Sequence, residues 1–284
     1  MLRSMYSGIS GMKNFQTKLD VIGNNIANVN TYGFKKGRVN FKDLVSQSIA
    51  GASAPVTAGN SQMGGVNPKQ VGLGAQLGTI DTIDTQGSLQ TTGRSLDLAI
   101  SGDGYFQVGK GNESKEIVES TYTRSGNFYL DDAGNIVNSD GKYLVGAKTI
   151  VNGEVTETGA PISIPKDAKS FSIGSDGVVS YVDGAGKLQT AGQIIIVKFS
   201  NNGGLEKVGS NNYQESSNSG TPLPGLPGGT TGAGSIVAGA LEMSNVDLSE
   251  EFTEMIVAQR AFQANTRIIT TSDEILQELV NLKR

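Results

Sequence analysis

DLSEEFTEMIVAQRAFQANTRIITTSDEILQELVNL, residues 247–282, contains neither Gly nor Pro, and its reading decides one half of the fold. Asp247 with Glu250 three residues on is an N-cap followed by a capping-box carboxylate, which satisfies backbone donors that a helix start leaves orphaned. The spacing predicts a helix from there to about Leu282, roughly 50 Å long at ~1.5 Å per residue. Along it Leu248, Met255, Phe262, Ile269 and Leu276 recur every seven residues, whereas the flanking seam is mixed, with Gln259, Asn265, Thr266, Ser272 and Asp273. A stripe that narrow resembles a coiled-coil face and requires a partner helix.

The other chain end supplies one. Met5, Met12, Leu19 and Ile26 also repeat every seven residues, with Phe15, Ile22 and Val29 on the adjoining seam. Residues 1–42 carry seven basic groups against Asp20 alone, 7 − 1 = +6, and residues 242–284 carry four basic against eight acidic, 4 − 8 = −4. Opposite charge and matching heptads predict one antiparallel helical pair built from both termini. Gly8 and Gly23 weaken the first helix, so the terminal segments are expected to order on assembly, where burial offsets the entropy of fixing the chain.

Between the ends, residues 46–78 are rich in Gly, Ser, Ala and Gln and read as an extended or irregular connection. From 79 to 215 apolar and polar residues alternate, with turn signals at Asp103-Gly104, Asp140-Gly141, Asp176-Gly177 and Asp183-Gly184. Strands are predicted near 95–100, 105–108, 127–130, 170–173, 177–182 and 193–199, and the Pro/Gly run at 220–229 is a loop. The predicted fold is therefore α+β: long terminal helices paired as a coiled-coil domain (1–30 plus 242–284), an extended connector (31–78), and a mainly antiparallel β domain (79–241) ending in the Pro/Gly-rich loop.

Composition narrows the chemistry. The 284 residues include no Cys and no His, which removes disulfides, thiolate or imidazole metal sites and histidine-dependent nucleophiles. The net charge of −4 does not suit a phosphate backbone. No apolar run reaches the ~18 residues of a membrane helix, and the start has no continuous apolar segment of the secretory kind. Gly104 to Lys110 has the glycine and lysine spacing of a phosphate loop, but Gly111 stands where a hydroxyl is needed. Asp131, Asp132 and Asn135 lack the closing carboxylate of a calcium loop. No catalytic residue, metal site or cofactor is expected.

The run Leu19-Asp20-Val21-Ile22-Gly23-Asn24-Asn25-Ile26-Ala27-Asn28-Val29-Asn30-Thr31-Tyr32-Gly33-Phe34-Lys35 resembles the N-terminal signature of bacterial flagellar rod and hook proteins. Ser244-Asn245-Val246-Asp247-Leu248, Met255-Ile256-Val257-Ala258-Gln259-Arg260 and Thr271-Ser272-Asp273-Glu274-Ile275-Leu276 resemble the matching C-terminal signature. Leu96 to Ile100 leading to Gly104-Tyr105-Phe106, Tyr122-Thr123-Arg124-Ser125-Gly126 and Ser172 to Val178 resemble the family's middle domain. Carried over residue by residue, the N-terminal motif falls on Asn24, Asn25, Ala27, Asn28, Thr31, Gly33 and Lys35, and an export-gate motif of the form Phe-x-x-x-apolar falls on Phe41 and Val45.

The resemblance implies a non-catalytic subunit that polymerises through its terminal helices into a hollow tube, reaches the flagellum by the flagellar export apparatus without a cleaved signal peptide, and binds neither nucleic acid nor membrane. Val246-Asp247-Leu248-Ser249 and Val257-Ala258-Gln259-Arg260 look like the hook, in particular the short hook proteins of Gram-positive bacilli. The expected product is the flexible hook, with hook cap, distal rod and hook–filament junction proteins as neighbours. The long connector is the feature that resembles the straight distal rod, the alternative. A secreted adhesin could use the same β middle but would not need heptads at both termini.

Overall fold

The computed structural model describes residues 2–58, 61–111, 117–151, 154–229 and 232–282. The chain forms two compact units: one made of residues 1–26, 37–81 and 247–284, the other of 27–36 and 82–246. The fold class is α+β, as expected.

In the first unit, helix α1 (Leu2–Ala27) and helix α2 (Leu248–Asn281) are the two α helices among the described residues. Asp247 caps α2, its carboxylate accepting from the amides of Ser249 at 2.8 Å and Glu250 at 3.4 Å. Between the helices in sequence lies an arm of paired strands. Gly37–Asp43 pairs with Ala75–Thr82, Ser46–Ala50 runs antiparallel to Lys69–Gly72, and Val56–Ala58 runs antiparallel to Ser61–Met63. The extended segment predicted at 46–78 is thus a two-stranded ribbon that goes out and returns. Ile49, Val66 and Val71 on it are exposed, so the ribbon has little core of its own and, like an isolated hairpin, gains little stability from burial.

The second unit is a β body with two cores, and the alternation of one strand explains both. In Tyr105–Gly111 successive side chains point to opposite faces. Phe106 and Val108 enter a large apolar cluster with Leu98, Ile100, Phe128, Leu144 and Ile196. Tyr105 faces the other way, into a small aromatic cluster with Tyr122, Val197, Phe199 and Tyr213. Its rings meet edge to face, 4.8 Å between the centroids of Tyr122 and Phe199 and 5.5 Å between those of Tyr105 and Tyr213, the geometry that aromatic quadrupoles favour.

Around this strand the main sheet is antiparallel. Tyr105–Gly111 pairs with Ile117–Thr123, Tyr143–Val151 and Ile196–Lys198, and Asn212–Gln214 pairs with Ile117–Thr123. Ser170–Ile173, Val178–Val182 and Leu188–Gln193 form a separate meander. The turns follow the sequence except in the last of the four: Gly104, Gly141 and Gly177 take positive φ, but in the 183–187 turn the positive φ belongs to Gly186, not Gly184. One turn had no glycine signal at its tip, because Ser210 and Asn211 both adopt φ above +50° or at it.

Candidate polymerisation helices and terminal motif

Within the helical unit α1 and α2 run antiparallel. Asn25 donates to Glu251 at 3.1 Å, Lys18 pairs with Glu254 at 2.5 Å, and Thr266 donates to the Met12 sulfur at 3.3 Å. Near the start of α1 the helices come close enough that a β-carbon on Gly8 would lie 3.4 Å from Ile269 and 3.5 Å from the Asn265 carbonyl. One on Gly11 would lie 2.9 Å from the Asn265 side chain. Of the glycines in α1, Gly11 makes the tight approach to α2, Gly8 lies at ordinary contact distance, and Gly23 has nothing within 4 Å of the place a β-carbon would take.

Met255, Phe262, Ile269 and Leu276 are half-buried along this contact, as are Met5, Met12, Phe15, Leu19 and Ile26, and Ile22 is buried. Leu248 stands apart from the α1 contact. It fits the seven-residue period but is the first residue of α2, 39% exposed, and Glu251 is the first buried residue of the seam. The second seam is Glu251, Ala258, Asn265 and Ser272, with Ala258 fully buried. Small and polar side chains there give close approach in place of apolar bulk.

The helix α2 also carries a second stripe, exposed at every position but Ala261. Val257, Ala261, Ala264, Ile268, Thr271 and Ile275 alternate in steps of four and three, the heptad spacing, rotated around the helix from the inner seam. Val257 is 54% exposed, Ile268 and Ile275 44% each.

The two residues on which the export-gate motif is expected lie on the arm. Phe41, in the strand Gly37–Asp43, stands with its ring edge-on to Phe15 at 5.7 Å, and Val45 is 79% exposed. Neither belongs to a helix.

The terminal motif divides at the end of α1. Asn24 and Ala27 are exposed. Asn25 is buried and fully used: its amide donates to the Gly37 carbonyl and to Glu251, and its carbonyl oxygen accepts from the Gly37 amide at 2.9 Å. Asn28 and Thr31 close a turn, the Thr31 hydroxyl donating to the Asn28 side chain at 3.1 Å.

Gly33 and Lys35 belong to the β unit. Gly33 has φ +69°, and a β-carbon there would sit 2.7 Å from the Arg124 carbonyl carbon. Its amide donates to the Glu242 carbonyl at 2.8 Å. Lys35 is buried, its ammonium donating to Glu242 at 2.6 Å and to the Thr85 carbonyl at 2.8 Å. Glu242 also accepts from Arg124 at 3.1 Å and from the Gly87 amide at 3.0 Å. The Arg124 guanidinium lies over the Tyr105 ring, whose hydroxyl donates to Asp84 at 2.8 Å. Burial pulls the Lys35 ammonium below the usual lysine range, against the opposing field of Glu242. Glu242 and Asp84 gave no signal in the sequence, since a carboxylate's burial depends on partners far away along the chain.

Models of three flagellar families match this chain: "Flagella basal body rod protein" over residues 5–35, "Flagellar hook protein FlgE/F/G D1 domain" over 99–181, and "Flagellar basal body rod FlgEFG protein C-terminal" over 237–282. The flagellar basal-body rod protein FlgG of Bacillus subtilis is 61% identical over 284 residues, covering 100% of both chains.

The chain belongs to the flagellar rod and hook family. A second member, the basal-body rod protein FlgG of Caulobacter vibrioides, is 38% identical over 284 residues, covering 99% of this chain and 100% of that one. The flagellar hook protein FlgE of Borreliella burgdorferi is 32% identical over an alignment of 452 positions that covers 100% of both. That alignment is longer than the present chain, so the hook relative carries sequence this member of the family lacks. Among the described residues no helix is long and apolar enough to cross a membrane.

Proposed function

We propose that this family member is a structural, non-catalytic subunit of the flagellar distal rod. It polymerises with copies of itself into a straight tubular drive shaft outside the cytoplasm, delivered by the flagellar export apparatus. The observation that carries the reading is end-to-end similarity at 61% to a basal-body rod protein of equal coverage, against 32% to a hook protein with additional sequence. The helix geometry supports polymerisation. The inner seam of α2, with Met255, Phe262, Ile269 and Leu276, holds α1, and the outer stripe of Val257, Ile268 and Ile275 is free to pack on a neighbouring subunit. In this reading Met5, Met12, Phe15, Leu19, Ile22 and Ile26 are the α1 half of the polymerisation helices. Phe41 and Val45 engage the export gate while the chain is unfolded, before Phe41 docks on Phe15.

The hook is the second reading, favoured by the runs at 246–249 and 257–260. Electron microscopy of polymer grown from concentrated purified protein separates them. Straight rigid tubes support the rod, and curved flexible tubes support the hook. Protein that stays monomeric at every concentration overturns both and leaves a monomeric secreted domain.

A further inference from the structure

The N-terminal segment 31–36 is held by the β unit far more tightly than a connector needs to be. The carbonyl of Tyr32 accepts from Asn211 at 3.1 Å, that of Lys35 accepts from Lys207 at 3.3 Å, and that of Lys36 accepts from the Ile83 amide at 2.9 Å. The Lys36 amide donates to the Asn245 side chain at 2.8 Å, whose own amide donates to the Ile83 carbonyl at 2.8 Å. The Lys207 ammonium also stands 5.1 Å from the Phe34 ring centre, and Phe34 is buried. Three separate parts of the β unit therefore grip residues 32–36: the hairpin of Glu206–Gly209 and Asn212–Gln214, residues Ile83 and Thr85, and the last strand Ala240–Glu242 with Asn245 after it.

Charge favours the grip. Lys35 and Arg124 are two buried cations; Glu242 is a buried carboxylate that bonds both, and Asp84, bonded to Tyr105, acts on Lys35 as a second negative charge. The four groups balance. With Lys35 withdrawn, the buried Glu242 and the half-buried Asp84 are left with one guanidinium, and buried charge without a partner is strongly unfavourable.

We propose that segment 31–36 is a latch that completes the β unit: Lys35 is the missing counter-ion of its buried charge cluster, and the unit closes cooperatively only when this N-terminal segment is captured. The chain leading out of α1 is thereby fixed beside the strand that leads into α2 through Gly33–Glu242 and Lys36–Asn245. This is independent of whether the polymer is rod or hook. It also differs from the sequence expectation of a connector beginning at residue 31.

Native-state hydrogen exchange on the full chain, kept dilute and monomeric, tests it. In the unaltered protein the amides of Gly33 and Lys36 should exchange in the same slow class as those of Phe106 and Ile196. In Lys35→Met, which keeps the length of the side chain and removes its charge, all four should exchange at least about tenfold faster, together. Met255→Ala, which loosens the helical pair, should leave all four unchanged. Rapid exchange at Gly33 and Lys36 while Phe106 and Ile196 stay protected would overturn the proposal, as would wild-type protection throughout in Lys35→Met. Because the first comparison needs no variant, a Lys35→Met chain that fails to fold does not remove the test.

Discussion

Lys35 and Glu242 lie 207 residues apart in sequence and meet at 2.6 Å, with side chains 1% and 0% exposed. A lysine would ordinarily keep its head in water and bury only its stem. Here the reverse holds, because the Gly33 turn delivers residue 35 under the strand Ala240–Glu242. The relationship converts a short motif after the first helix into part of a remote β body.

Gly33 should tolerate no side chain. Alanine at φ +69° costs about 1–2 kcal/mol from the left-handed conformation alone, and its β-carbon would press on the Arg124–Ser125 peptide at 2.7–2.8 Å. Gly33→Ala is expected to lower stability by at least that amount in urea denaturation followed by near-ultraviolet circular dichroism, which reads the aromatic cluster. Helical content should change less than that signal.

The buried tyrosines set an alkaline limit. Burial pushes the Tyr122 hydroxyl up to about 12, and raises Tyr105 and Tyr213 further, with Asp84 adding to both. In the unfolded chain these groups ionise near 10.0. Their contribution is fully present below pH 10 and falls away above it, as the unfolded state gains the freedom to release protons that the folded state holds. Lys35 and Lys207 are depressed by burial, so they act oppositely and add stability as pH rises from their folded values toward 10.5. The melting temperature should therefore decline steeply only above about pH 10, and tyrosinate absorbance from the buried cluster should appear with unfolding rather than before it. Titration of those three hydroxyls in the folded chain at their ordinary value would contradict this.

What the sequence made legible follows from range. The recurrence of Met255, Phe262, Ile269 and Leu276 is local, and it led to the helix pair; the Asp247 cap is local too. Leu248 shares the period but not the burial, because the cap and the seam start at different points. The closest contact, Gly8 and Gly11 against Asn265, carries no apolar signal, since small residues reveal an interface only once both helices are in hand. On the arm, Ser46–Ala50 and Lys69–Gly72 lack the apolar alternation that marks a strand with a buried face, so only an extended segment could be read. In the motif, Asn24 to Lys35 could be located but not understood. Asn25 serves the helical unit and Lys35 the β unit, and both depend on carboxylates more than 200 residues away, Glu251 and Glu242.

Phe262→Asp should abolish polymerisation while leaving the β unit folded. Phe262 is half-buried at the middle of the inner seam, and a carboxylate there loses the aromatic contact with α1 and sets a charge against an apolar seam. Helical content of the single chain should fall as the helix pair loosens, and sedimentation should find no tubes. Normal tubes would show that this seam is not needed for assembly.

The outer stripe of α2 separates folding of the subunit from joining of subunits. Ile268 and Ile275 stand 44% exposed and Val257 54%, so Ile268→Glu or Ile275→Glu adds charge where the single chain already meets water. Such surface changes usually alter stability by no more than about 0.5 kcal/mol, and the melting temperature of the monomer should hardly move. If the stripe packs on a second copy, the same carboxylate enters a seam without a counter-ion, where its burial is costly. The critical concentration for tube formation should then rise at least about tenfold, the equivalent of 1.4 kcal/mol per contact. Light scattering against concentration measures it. Phe262→Asp and Ile268→Glu are thus expected to share a polymerisation defect and differ in the monomer, the first disturbing the helix pair and the second not. An unchanged critical concentration for both isoleucine variants would place the intersubunit contact elsewhere and leave the outer stripe facing the solvent.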